Sequence, residues 1–200
     1  MTVIIALKDM INDKILVGYD GQGTSEDISL PFGEKLVTMS IPVVNEENEI
    51  INDTEMHILV SGSHYIKSYL THAFTPPGIL EDEDVVDYLY NQFFQSLSNE
   101  LTNHGLLKNE DGALESQAGL IIIYDNRLFN VYSDFSIVES TDVFTCNGSG
   151  WKISTSVLSN LLEFHHDMEL EDMIEEALLT TARLNIYCND DITIKTIPRQ

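Results

Sequence analysis

Apolar and polar positions change period several times along the chain. Thr2–Leu7 is β-branched and apolar, Met10–Lys14 is a turn, and Ile15–Gly18 resumes the apolar pattern, which predicts a hairpin. Asp20-Gly21-Gln22-Gly23-Thr24 then interrupts it with two glycines. Lys35–Ile41 and Met56–Val60 are two further strands, separated by the polar stretch Asn45–Glu55.

Helical spacing follows. Ser63–Phe74 starts after Ser61-Gly62 and stops before Pro76-Pro77-Gly78. Across Asp84–His104, Val85, Val86, Leu89, Phe93, Leu97 and Leu101 recur at helical intervals, Glu81–Asp84 favours the helix N-terminus, and Gly105 closes the run. Lys108–Ser116 is a polar loop. Gly119–Tyr124 and Leu128–Tyr132 form a second hairpin around Asp125-Asn126-Arg127, and Asp142–Cys146 leads into Asn147-Gly148-Ser149-Gly150. Trp151–Phe164 and Leu170–Leu184 are amphipathic helices, and Ile192–Ile197 alternates as a last strand. Strand runs alternating with helix pairs predict an α+β fold, with antiparallel sheets covered by helices on their outer faces. No repeat or long linker divides residues 1–200, so one domain is expected.

Charge narrows the function classes. The chain has 33 acidic and 10 basic residues, a formal net charge of −23, which repels phosphate backbones and anionic lipid. No nucleic acid or membrane partner is therefore expected. Hydrophobic residues make up 43% of the chain, enough to build a core rather than a disordered polyanion. Two cysteines, Cys146 and Cys188, fit a reducing compartment, and the apolar runs Val3–Leu7 and Leu120–Tyr124 fall far short of the ~20 residues of a membrane helix. Met1–Leu7 lacks the basic flank and small-residue cleavage site of a signal peptide. The expectation is a cytoplasmic protein.

Some familiar sites are excluded by spacing. Gly148–Lys152 lacks the G-x4-G-K-[ST] pattern of a phosphate loop, and Asn147 and Trp151 stand where a hydrolase nucleophile elbow around Ser149 needs glycines. His165-His166 is an adjacent pair without helical ligand spacing, and a solvated loop explains it.

The N-terminal third offers more. Thr2 opens a strand directly after Met1, Asp20 ends the following strand, and Lys35, one of seven lysines in an acidic chain, opens the third. Here the sequence resembles the proteasome β-type threonine peptidases, and is most similar to the peptidase subunit of the bacterial two-component ATP-dependent heat-shock protease. Asp20–Thr24 is similar to that family's D-G-Q-A-T, with Gly23 in place of alanine. Ser61-Gly62-Ser63 resembles its small-residue turn into the first helix, Leu120-Ile121-Ile122 its L-I-I-T hairpin, Gly148-Ser149-Gly150 its G-S-G, and Ile186–Asn189 its I-Y-T-N. The pieces occur in family order over most of the chain. Singly, each has an ordinary reading: Asp20 and Thr24 as turn formers, Lys35 as a strand-edge charge, Ser149 beside a helix start. The chain departs from the family at Val3, where a second small residue is usual, and in longer connections after Thr2 and at Asn45–Glu55.

The resemblance implies a four-layer αββα sandwich of the N-terminal nucleophile hydrolase type and a threonine-type endopeptidase. A threonine hydroxyl is a weak nucleophile that needs a base. Removal of Met1 would place an α-amine, of ordinary pKa about 8, on the same residue as the Thr2 hydroxyl. In the family roles Lys35 favours the ionised hydroxyl, Asp20 pairs with Lys35, Gly62 donates to the oxyanion, Ser149 bonds the α-amine, and Thr24 holds the substrate backbone as an added strand. No cofactor is required. A structural monovalent cation such as sodium, on the backbone carbonyls of Ala182, Asn185 and Cys188, is implied. The implied partners are further copies in a homo-oligomeric ring, an ATPase unfoldase, and unfolded protein as substrate. Two alternatives remain at this stage: a non-catalytic ring subunit that retains Met1, and a small-molecule amidase of the same fold.

Overall fold

Val3–Asp9 (β1) and Lys14–Asp20 (β2) form the expected hairpin, with Ile4 opposite Tyr19 and Asp9 opposite Lys14. The computed structural model describes residues 2–25, 28–31, 33–110, 113–116 and 118–198, with side chains except at 24, 25, 28–31, 108–110, 113 and 114. Next come β3 (Gln22–Ser25), β4 (Ile28–Pro31), β5 (Leu36–Val44), β6 (Ile50–Ser61), α1 (His64–His72) and β7 (Ile79–Leu80). A helical stretch comprises α2 (Val85–Tyr88), a wide π turn over Leu89–Phe93, and α3 (Phe94–Asn103). β8 (Lys108–Glu110), β9 (Ala113–Glu115), β10 (Gly119–Tyr124), β11 (Arg127–Val131), β12 (Ile137–Glu139) and β13 (Phe144–Gly148) precede α4 (Trp151–Phe164), α5 (Leu170–Leu184) and β14 (Ile192–Pro198).

Two larger sheets result. One runs β13-β1-β2-β14 and the other β12-β11-β10-β6-β5-β7, antiparallel throughout except for the short β5–β7 pair. The faces of β1 show how they stack. Val3, Ile5 and Leu7 meet Leu158, Ile174 and Leu178 of α4 and α5, while Ile4 and Ala6 meet Leu59, Ile121, Ile123 and Leu128 of the other sheet. Beyond the six-stranded sheet, Ile58, Val60, Ile122 and Phe129 pack on Ile66, Leu70, Leu97 and Leu101 of the remaining helices. The order is helices, sheet, sheet, helices: the expected αββα sandwich. Strands buried on both faces read as continuous apolar runs, which is why β1 and β10 lack alternation.

The second hairpin turns through Asp125 and Asn126 at φ of 49° and 56°, the mirror-image turn that matches strand twist. The structure departs from the sequence-based expectations mainly where polar residues dominate. Asn45–Glu55 is mostly strand, because β6 continues outward from Met56 with exposed side chains and pairs along β5. The expected loop Lys108–Ser116 contains the β8–β9 hairpin, and the glycine-rich break after Asp20 contains the β3–β4 hairpin. The single expected helix over Asp84–His104 has a π turn, which lets the adjacent Phe93 and Phe94 both face the core. Among the described residues, no helix is long and apolar enough to cross a membrane.

Helix α5 lies directly on β2. A Cβ at Gly18 would overlap Ile174 Cγ2 and come within 3.0 Å of Leu178 Cδ1. Ile174 and Leu178 are fully buried and have nowhere to retreat. Gly18→Ala is expected to destabilise the fold by about 1–3 kcal/mol, as overpacking does. Urea unfolding should show a lower midpoint at unchanged slope.

Candidate active site

Thr2 enters β1 and is 3% exposed. The end of β2 brings Asp20 beside it, and Lys35, just before β5, reaches across from the other sheet. Their side chains converge. Lys35 Nζ donates to Thr2 Oγ1, to Asp20 Oδ1 at 2.9 Å and to the Gln22 carbonyl at 2.9 Å. Thr2 Oγ1 in turn donates to Asp20 Oδ1, and the Val3 amide donates to the same oxygen at 2.9 Å. Asp20 Oδ2 accepts from the amides of Gln22 at 3.4 Å and Asn189 at 3.3 Å. A fully buried carboxylate thus has donors on both oxygens, as burial of a charge demands.

Lys35 is 1% exposed, and burial pushes its pKa below the ordinary lysine value, with Asp20 opposing the shift. Cys188 also feels Asp20. Burial first, and that carboxylate second, push its thiol up to about 12, so it stays protonated near neutral pH. Thr2 is therefore the better candidate nucleophile in this cluster.

Gly148 closes the other flank. At φ 95° it passes so near the Thr2 carbonyl that a Cβ would overlap it. Ser149 Oγ donates to the Thr2 carbonyl at 3.3 Å, and the Gly150 amide reaches the same oxygen at 3.4 Å. Met1, and with it its junction to Thr2, lies outside the described residues. Gly62 follows β6 at φ 86° and shares with Thr2, Gly148 and Ser149 a cleft of ≈ 540 Å³. Thr24 lies on β3, two residues beyond the carbonyl that binds Lys35, and its side chain is outside the described residues.

Ala182 and Asn185 mark the C-terminal end of α5, with Cys188 just beyond. This end is joined to the cleft because Asn185 Nδ2 donates to the Ser149 carbonyl at 3.0 Å. Of the three, only Ala182 lies within the helix, and the Asn185 carbonyl accepts the Cys188 amide at 3.1 Å. Asn189 and the Gln22 carbonyl escaped the sequence analysis. Both act through backbone atoms, and the available signals were the similarity of Asp20–Thr24 to D-G-Q-A-T and of Ile186–Asn189 to I-Y-T-N.

This arrangement can be set beside known proteins. No family model matches the sequence, and no curated protein matches it. Solved structures do. BPH of Thiobacillus denitrificans superposes with a TM-score of 0.74 at 13% identity, over 100% of this chain and 99% of that one. The same protein in complex with epoxomicin gives 0.70 at 14% identity, covering 100% of both. Eukaryotic HslV from Trypanosoma brucei gives 0.60 at 16% identity, over 98% and 99%. The fold is the HslV, proteasome-type N-terminal nucleophile fold. In this HslV fold the two sheets divide the cluster: Thr2, Asp20 and Ser149 belong to the four-stranded sheet and its edges, Lys35 and Gly62 to strand ends of the other.

Asp20→Ala should take the paired carboxylate from the buried Lys35 ammonium and destabilise the fold by about 3–5 kcal/mol. The double variant Asp20→Ala/Lys35→Met removes the stranded charge and should recover much of that loss. Denaturant titration of the variants measures both effects.

Proposed function

We propose that this chain is a threonine-type endopeptidase subunit in which Thr2, freed of Met1, is the nucleophile. The observation that carries the reading is the convergence of Lys35 Nζ and Asp20 Oδ1 on Thr2 Oγ1 in a buried cluster beside an open cleft. The Thr2 hydroxyl attacks the scissile carbonyl and gives its proton to its own α-amine, while the Lys35 ammonium favours developing charge on Oγ1. The Gly62 amide donates to the oxyanion. Collapse transfers the proton from the α-amine to the leaving amine, and water then hydrolyses the ester on Thr2. Ser149 steadies the Thr2 carbonyl, and the β3 edge at Thr24 receives the substrate backbone as an added strand. Carbonyls of Ala182, Asn185 and Cys188 would hold a monovalent cation that braces the loop behind Ser149.

The fold shared with HslV supports a proteasome-like ring protease, and the wider reading adds to it a cytoplasmic homo-oligomer that encloses the cleft and receives unfolded protein from an ATPase. Epoxomicin, bound by the Thiobacillus protein, should label Thr2 here too.

Lys35→Ala is expected to lower peptide hydrolysis by ~100-fold or more while the protein stays folded, since Asp20 keeps its other donors. Lys35→Arg should fail nearly as badly, because a planar fork cannot place a compact ammonium at Thr2. Activity of either variant within threefold of wild type, ~0.7 kcal/mol of barrier, would contradict the mechanism. The pH profile gives a second check. The α-amine must be neutral and Lys35 charged, so the rate should rise as pH passes about 8 and fall again as Lys35 loses its proton. Because burial lowers the Lys35 pKa, that alkaline fall should begin below its ordinary value of 10.5.

A further inference from the structure

The proposed machinery is split between two sheets whose shared core, Ile4, Ala6 and Val17 against Leu59, Ile121, Ile123 and Leu128, is apolar, while Tyr19 donates its hydroxyl to Glu34, next to Lys35. Apolar packing resists separation more than it fixes the relative position of strand ends. On the β2 flank of Thr2, Lys35 and Asp20 supply a directional link. We propose that Asn147 supplies another, on the β13 flank, as a positioning residue that holds the strand end bearing Gly62 against the one bearing Gly148 and Ser149. The proposal rests on the peptidase reading for its catalytic consequence.

The half-buried Asn147 carboxamide has partners on both sheets. Its oxygen accepts from the Gly148 amide at 2.5 Å and from the Ser61 hydroxyl at 3.3 Å. Its nitrogen donates to Asn130 Oδ1 and to the Val131 carbonyl at 3.4 Å. Asn130 completes a return stitch from β11, with its own nitrogen donating to Thr145 Oγ1 at 3.3 Å and the Cys146 carbonyl at 3.2 Å. The orientation of both amides follows from their backbone partners: an N–H can only donate and a carbonyl can only accept.

The surrounding backbone is shaped to this carboxamide. A Cβ on Gly119 would overlap Asn147 Oδ1, so the absence of a side chain there is what admits it. Ser61 Oγ also reaches the Gly119 carbonyl at 2.9 Å, tying β6 and β10 to the same point. Ser61 immediately precedes Gly62, and Gly148 is folded tightly over the Thr2 carbonyl. Displacing the carboxamide would therefore shift the oxyanion donor and the Thr2 surroundings relative to each other. A turn-forming asparagine would bond within its own loop, whereas three of the four Asn147 bonds go to β6 or β11.

The test uses the assembled protein with Asn147→Ala, Asn130→Ala and the double variant. Peptide hydrolysis should show kcat falling at least tenfold in Asn147→Ala with KM within twofold of wild type. The double variant should lose less than the sum of the two single losses, because the Asn147–Asn130 bond is counted in both, while the bonds from Asn130 to Thr145 and Cys146 add a loss of their own. Hydrogen exchange read by mass spectrometry should speed up in segments 58–64 and 145–152, while β1 and β2 keep their protection. Unchanged exchange in both segments, or kcat within twofold of wild type, overturns the proposal. If wild-type protein cleaves nothing, the peptidase reading fails by itself and the exchange result alone decides whether Asn147 clamps the sheets. Should Asn147→Ala not fold, Asn130→Ala breaks the same bond from the more distant strand and carries both readouts.

Discussion

A lysine ammonium buried against a carboxylate is the constraint on which this molecule is arranged. Lys35 and Asp20 are almost fully buried, and each is the other's counter-charge. Each comes from a different sheet, so the pair forms only when both sheets have closed to the right spacing. The apolar interlayer brings them together, and the pair then fixes one corner. Around it, the amides of Val3, Gln22 and Asn189 and the carbonyl of Gln22 are drawn inward to complete the coordination of the two charges.

Such a pair is a poor investment in stability alone, since an apolar pair of equal volume often serves as well. Its chemical value is a different matter. It surrounds a threonine hydroxyl with one donor and one acceptor in a low-dielectric setting, beside an open cleft and a glycine amide at the end of a strand. In a chain of net charge −23, an inward-pointing lysine also provides a local positive site that the exterior does not. The proposed peptidase chemistry accounts for that placement where stability does not.

How much of this the sequence disclosed depends on the kind of residue. α4 and α5 match their expected bounds because an apolar stripe on a polar surface repeats without ambiguity from Trp151 to Leu184. The outer half of β6 and the β3–β4 and β8–β9 hairpins were not legible, since polar side chains hide strand pairing made by the backbone. Thr2, Asp20, Lys35 and Gly62 stood out only through the order of several weak motifs. Ser149 was named from the likeness of Gly148-Ser149-Gly150 to G-S-G, and its hydroxyl bonds the Thr2 carbonyl. Asn147 and Asn189 were passed over because one resembles a turn residue and the other acts through its amide.

The central claim is that a free Thr2 is the nucleophile, and the N-terminus itself tests it most directly. Protein purified from its native source should be treated with a threonine-directed covalent inhibitor and analysed by intact mass and peptide mapping. The account predicts loss of one methionine and a single adduct on Thr2. Full retention of Met1 with no adduct on Thr2 would contradict it.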